Sequence, residues 1–94
     1  MREIKTKKAF RQDVKRVDGS RYRLIAKHEL WDVVDSLAND IPLLWSYKDH
    51  ALHGNWEGSR ECHIRPDLLL VYTYVDDDWL ILERLGSHSK LLGL

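Results

Sequence analysis

The segment Leu68 to Leu85, "LLLVYTYVDDDWLILERL", constrains the fold more than any other part of the chain. Its first run, Leu68 to Val75, is apolar at odd and even positions alike, so as a strand it has both faces covered and sits in the middle of a sheet. Asp76, Asp77 and Asp78 then turn the chain, and Trp79 to Leu85 returns as the next strand. Upstream, Ser59 to Arg65 alternates, with Cys62 and Ile64 on one face and Glu61, His63 and Arg65 on the other. Pro66-Asp67 turns this strand into the central one.

The first forty residues carry a different period. "REIKT" suits a short edge strand, and Phe10, Val14 and Val17 fall at i, i+4 and i+7 on one face of a helix. Asp18-Gly19-Ser20 ends it, with Gly19 as a left-handed closing residue. A second helix is expected from Arg21 to Ala38, with Leu24, Trp31, Val34 and Leu37 as its core stripe, before Pro42 stops it. From Leu43 to Gly58 no period is sustained, and this stretch, holding Trp45, His50, His53 and Trp56, is a loop long enough to carry function. The implied architecture is α+β: an N-terminal short strand and a helical hairpin packed on one face of an antiparallel sheet of about four strands. The other face, partly open, displays Glu61, His63 and Arg65.

A chain of 94 residues fits a single domain, 1–94, and 44% apolar with 32% charged residues is the composition of a folded protein. The lone Cys62 excludes an intrachain disulfide and points to a reducing compartment. "MREIKTKKAF" has no apolar signal core, and the longest apolar run, "LLLVY", is far short of the ~20 residues of a membrane helix, so no membrane is expected and the cytoplasm is the default. Net charge is zero but divided. Residues 1–28 hold ten Lys/Arg against three acids, or +7, which leaves −7 on residues 29–94. A locally basic end attracts phosphate backbones or an acidic partner, or is simply a solvated helix face.

Several side chains could carry chemistry. His50, His53, Cys62 and His63 are zinc ligand types, but adjacent Cys62 and His63 on a strand point to opposite faces, so Cys62 belongs to the core and neither metal nor cofactor is expected. His50, His63, Asp67 and His88 could instead converge at one end of the sheet, where histidine gives or takes protons near neutral pH. On residue types alone, each histidine reads first as a surface or hydrogen-bonded side chain. Arg60, Arg65, Arg84 and Lys48 are candidate phosphate-binding cations. Arg84 shares the phase of Leu80 and Leu82, so two readings stay open for it: a phosphate ligand, or a stem over the core edge paired with a carboxylate.

The pattern D-H-x-L-x-G-x-W-x-G-x-R-x-x-H-I-x-P-D from Asp49 to Asp67, followed by G-S-H-S at Gly86 to Ser89, resembles the YafQ branch of the RelE/ParE toxin superfamily. The first half of the chain is similar only in its strand-helix-helix layout. The resemblance implies a RelE-like microbial RNase fold and a type II toxin that cuts messenger RNA in the ribosomal decoding site, inhibiting translation. It implies catalysis by His50, His63, Asp67 and His88 without a metal: the 2′-hydroxyl attacks the adjacent phosphate, with His88 as acid, Asp67 or His50 as base, and His63 with Arg60 or Arg84 orienting the phosphate. Members commonly carry Trp and Phe where this chain has Leu68 and Leu92, so those two positions are expected at the substrate with their aromatics missing. The implied partners are a cognate antitoxin, as a ribbon-helix-helix dimer, the ribosome with its message, and operator DNA only through the antitoxin complex. The alternatives are a non-cleaving, gyrase-directed toxin of the same fold, and a degenerate toxin kept as an antitoxin- or DNA-binding partner.

Overall fold

In the computed structural model, which describes residues 1–92 with only the backbone at Leu92, the central strand is β4 (Leu68–Val75). It lies between β3 (Arg60–Arg65) and β5 (Trp79–Gly86), both antiparallel to it. Two edge strands complete a five-stranded sheet in the order β1-β5-β4-β3-β2. β1 (Glu3–Thr6) runs parallel to β5, from Glu3 opposite Trp79 to Thr6 opposite Leu82. β2 (His50–Ala51) pairs antiparallel with β3. The sheet thus differs from the expected four antiparallel strands by one parallel edge and one two-residue strand.

Both faces of β4 are covered, as its continuous apolar run requires. Leu68, Leu70 and Tyr72 face the helices with Cys62, Ile64, Leu80 and Leu82, while Leu69 and Val71 face the opposite way against Leu91, Leu52 and Trp56. The helical layer comprises α1 (Lys8–Asp18), α2 (Arg23–Lys27) and α3 (Glu29–Ala38). α1 turns Phe10, Asp13 and Val17 inward.

The single helix expected over Arg21–Ala38 is broken at His28, whose φ of −123° and ψ of −74° are not helical. The break resets the rotation, so Ala26, Leu30, Val33, Val34 and Leu37 enter the core, while Leu24 is 71% exposed and Trp31 only edges onto Phe10. Gly19 also departs from expectation, with φ −87°. The Gly19 and Ser20 amides already reach the Arg16 and Val17 carbonyls, so α1 closes without a left-handed residue.

Two further details set up the site. A bulge between His63 and Arg65 shifts the β3–β4 register and turns Arg65 away from the His63 face. After β5 the chain forms α4 (His88–Leu92), where the Ser87 hydroxyl accepts from the Lys90 amide at 3.2 Å. Gly86 lets α1 approach this end of β5: Arg16 Nη2 lies 2.9 Å from where a Cβ would stand. Among the described residues no helix is long and apolar enough to cross a membrane.

Candidate active site

On the sheet face away from α1–α3, three imidazoles meet one carboxylate oxygen. Glu61 Oε1 lies 3.0 Å from His50 Nε2, 3.2 Å from His88 Nε2 and 3.4 Å from His63 Nε2. Neighbouring ring centroids are 6.0 Å apart for His50 and His63, and 5.4 Å apart for His63 and His88. Glu61 is only 1% exposed, and its second oxygen, Oε2, has no hydrogen-bond partner among the described residues. His63 is the most covered of the three rings; His50 and His88 are the more accessible.

Each ring arrives by a different local device. His63 lies two residues beyond Glu61 on β3, on the same pleat face. His50 sits directly across the ladder from Glu61, which is what the two-residue β2 contributes. It is anchored from behind, with Nδ1 2.6 Å from the Lys48 carbonyl. A carbonyl only accepts, so the His50 Nδ1 carries the hydrogen there and Nε2 faces Glu61. His88 is the first residue of α4 and reaches the cluster from the far end of β5.

The structure brings together His50, His63 and His88, and it places the other candidates elsewhere. Asp67 is exposed in the β3–β4 turn, beside a shallow hollow with Arg16, Tyr22, Ser87 and Lys90. Among the described residues it makes no hydrogen bond or ion pair with any histidine. Leu68 is buried against the helices, because even-numbered residues of β4 face that way, and cannot offer its side chain to a ligand on the histidine face. The Leu92 side chain lies outside the described residues.

The arginines are held by carboxylates. Arg84 Nε is 2.7 Å from Asp13 Oδ2, which resolves its two readings toward the carboxylate pair. Buried Asp13 also accepts from Arg16 at 2.8 Å and from the Leu85 amide at 3.0 Å. Burial pushes the Asp13 carboxyl up, but the bonds from Arg84, the Leu85 amide and Arg16 outweigh it and hold it below its ordinary value. Arg60 stands opposite Tyr72, on the helix side of the sheet, and pairs with Asp49 at 3.0 Å; Asp49 also accepts from the Tyr72 hydroxyl. Arg65 forks onto Glu29, at 2.8 and 3.1 Å, and Glu29 accepts from the Tyr47 hydroxyl at 2.6 Å. Lys48, among the described residues, has no ion pair and borders the cavity next to His63.

Sequence reading missed Glu61 as a site residue although it placed Glu61 and His63 on one face. The available signal was that shared face: an acid two residues before a histidine on an open strand. His50, Glu61 and His63 also bring ligand atoms within 4.8 Å of one another, a set that a transition metal accepts. Cys62 takes no part, being wholly buried on the other face with its thiol pushed up to about 12 by burial and by the nearby Asp49 and Glu61 carboxylates.

A family model described as "Bacterial toxin of type II toxin-antitoxin system, YafQ" matches residues 2–93. The chain is 46% identical over 55 residues to an "mRNA interferase toxin YafQ" of Escherichia coli, a match that covers 58% of this chain and 59% of that relative. The fold is similar to that of YafQ in the crystal structure of the Escherichia coli DinJ–YafQ complex, with a TM-score of 0.85 and 34% identity over 99% of this chain and 100% of the other. It is also similar to a metal-bound toxin from Helicobacter pylori, with a TM-score of 0.81 and 45% identity over 97% and 99% of the two chains.

Proposed function

The chain belongs to the YafQ family of bacterial type II toxin-antitoxin toxins, and from that premise we propose that it is a ribosome-dependent endoribonuclease that cuts messenger RNA by acid/base chemistry. The observation that carries this reading is the gathering of His50, His63 and His88 on the buried Glu61 at an accessible sheet face. Attack of a 2′-hydroxyl on the adjacent phosphate needs a group to take the hydroxyl proton and a group to give one to the leaving 5′-oxygen. Its products are a 2′,3′-cyclic phosphate and a free 5′-hydroxyl. The two more exposed rings suit those exchanges, His88 as acid and His50 as base, while His63 orients the phosphate. None of these steps calls on a metal.

The ion pairs support a different division of roles among the cations. Arg60, Arg65 and Arg84 are each bound to a carboxylate, so Lys48 and the imidazoles are the groups that meet phosphate charge. Asp67, outside the cluster, suits a contact to the message rather than the proton transfer. By analogy with the DinJ–YafQ complex, the partner that restrains the toxin is a cognate ribbon-helix-helix antitoxin, operator DNA is met only through that complex, and the working compartment is the cytoplasm. The basic surface of α1, with Lys8, Arg11 and Lys15, faces ribosomal RNA.

Purified ribosomes, a translated message and mapping of new 5′ ends test this directly. His88→Ala and His63→Ala should each cut at least ~100-fold more slowly, and a deoxynucleotide at the cut position should block cleavage there. Undiminished cutting by both variants, or cutting at the deoxynucleotide, refutes the scheme.

A further inference from the structure

We propose that Asp13 and Arg16 of α1 are positioning residues for His88, holding the acid of the cleavage step in place through the backbone of Leu85; this rests on the nuclease reading above. β1 accompanies β5 only from Trp79 to Leu82, so beyond Leu82 that edge of β5 has no strand partner. Leu85 is fully buried, and buried backbone N–H and C=O groups need partners. Two α1 side chains supply them. Asp13 Oδ2 accepts from the Leu85 amide at 3.0 Å, and Arg16 Nη2 donates to the Leu85 carbonyl at 3.0 Å. Arg16 Nη1 also donates to Asp13 Oδ1 at 2.8 Å, which closes the pair around one residue. A guanidinium suits this task because its planar fork meets two acceptors at once, whereas an ammonium is a point charge.

The clamp acts from the helix side of the sheet on a ring at the other face. Only Gly86 and Ser87 separate Leu85 from His88. Beyond His88 the Leu91 amide donates to the Ser87 carbonyl at 2.9 Å, and Leu91 packs on Leu69 and Val71. The ring itself has little else to aim it. His63 shares a strand with Glu61, and His50 stands across the ladder from it with Nδ1 on the Lys48 carbonyl. His88 reaches Glu61 from the end of another strand, and among the described residues that contact, at 3.2 Å, is the one hydrogen bond of its ring. Its aim is therefore set by its backbone, and releasing Leu85 releases the acid. A misplacement of ~1 Å at a reacting group can cost ~100-fold in rate.

When the 2′-oxygen bonds to phosphorus, the bond from phosphorus to the 5′-oxygen breaks and His88 gives that oxygen its proton. Sulfur in place of the 5′-oxygen leaves as a thiolate, because a thiol has a pKa of ~8.5, and needs no acid. In single-turnover cleavage at saturating ribosomes, Arg16→Met should cut an ordinary message about tenfold more slowly than the parent. On a message with 5′-sulfur at the cut it should come within about twofold of the parent. Arg16→Lys, which keeps the positive charge of α1 and loses the fork, should be slowed on the ordinary message and restored by sulfur in the same way. Both variants leave Asp13 its bonds from Arg84 and the Leu85 amide, and a urea midpoint confirms that they are folded. Independently of cutting, the ring carbon–proton NMR signals of His88, compared at one pH, should move in Arg16→Met while those of His50 and His63 stay in place. Equal slowing on both messages, or none on either, overturns the positioning role and leaves the nuclease reading intact. A His88 signal that moves alone in a protein that cuts neither message overturns the nuclease reading and keeps the clamp.

Discussion

Replacing Glu61 by Gln should separate activity from stability. The carboxylate is almost fully buried, places one oxygen on three imidazoles and leaves the other without a partner among the described residues. A buried polar atom without a bond costs ~1–3 kcal/mol, and more when it belongs to a charged group. Gln keeps the volume and an acceptor oxygen but removes the charge, so the folding free energy should stay within about 1 kcal/mol of the parent or rise. The site loses more. Charge-assisted hydrogen bonds are roughly twice as strong as neutral ones; His88 Nε2 makes one to Glu61 Oε1 at 3.2 Å, and His50 and His63 lie against the same oxygen, with His50 also tied to the Lys48 carbonyl. Acid/base groups contribute ~10²–10⁴-fold, and partial loss of their alignment should lower the cleavage rate about 100-fold. Glu61→Asp, retaining the charge on a shorter arm, should recover part of that loss. Urea denaturation followed by tryptophan fluorescence gives the stability, and single-turnover cleavage on ribosomes gives the rate. Near-parental cleavage by Glu61→Gln, or a stability loss above about 2 kcal/mol, would show that Glu61 is a packing residue and refute the argument.

Asp13→Asn should cost about 2–3 kcal/mol at neutral pH by weakening its bonds to Arg84, Arg16 and the Leu85 amide. Because the folded carboxyl is held below its ordinary value, its contribution is complete above the unfolded value of ~3.9 and disappears as pH falls through the folded one; urea midpoints measured down to low pH should therefore fall more steeply for the parent than for Asp13→Asn. Cys62, wholly buried with its thiol pushed up to about 12, should react with a thiol reagent only at the rate of unfolding, and faster labelling in native buffer would contradict its core placement. Removing the charges of Lys8, Arg11 and Lys15 should weaken ribosome binding and reduce the slope of log affinity against log salt by about one for each phosphate no longer neutralised; an unchanged slope would remove α1 from that interface.

The strand hairpins were legible because their signal is local. The apolar run of Leu68–Val75, the aspartate turn and the alternation of Arg60–Arg65 each lie within a few residues, and burial on both faces of β4 followed from composition alone. The His28 break was not legible, since no glycine or proline marks it, and the stripe drawn through Leu24 and Trp31 assumed an unbroken rotation. The bulge near Ile64 was likewise silent, and it is what separates Arg65 from His63. The three histidines were found by residue type and by family resemblance, but their common ligand was not, because Glu61 meets His50 through a two-residue strand and His88 through a helix end. Arg84 shows the limit from the other side: its strand phase was readable, and only the position of Asp13 on α1 decides between its two possible partners.

The parallel pairing of β1 with β5 has a consequence for the order in which the molecule is made. Glu3 finds Trp79, and Thr6 finds Leu82, only after β5 has left the ribosomal exit tunnel. His88 follows later still. During synthesis the nascent chain holds Glu61, His50 and His63 before the third ring exists, and its earliest strand waits unpaired for its latest. Long-range pairing of this kind is slow to form, so the local hairpins β3–β4 and β4–β5 come first and the parallel edge closes the sheet afterwards.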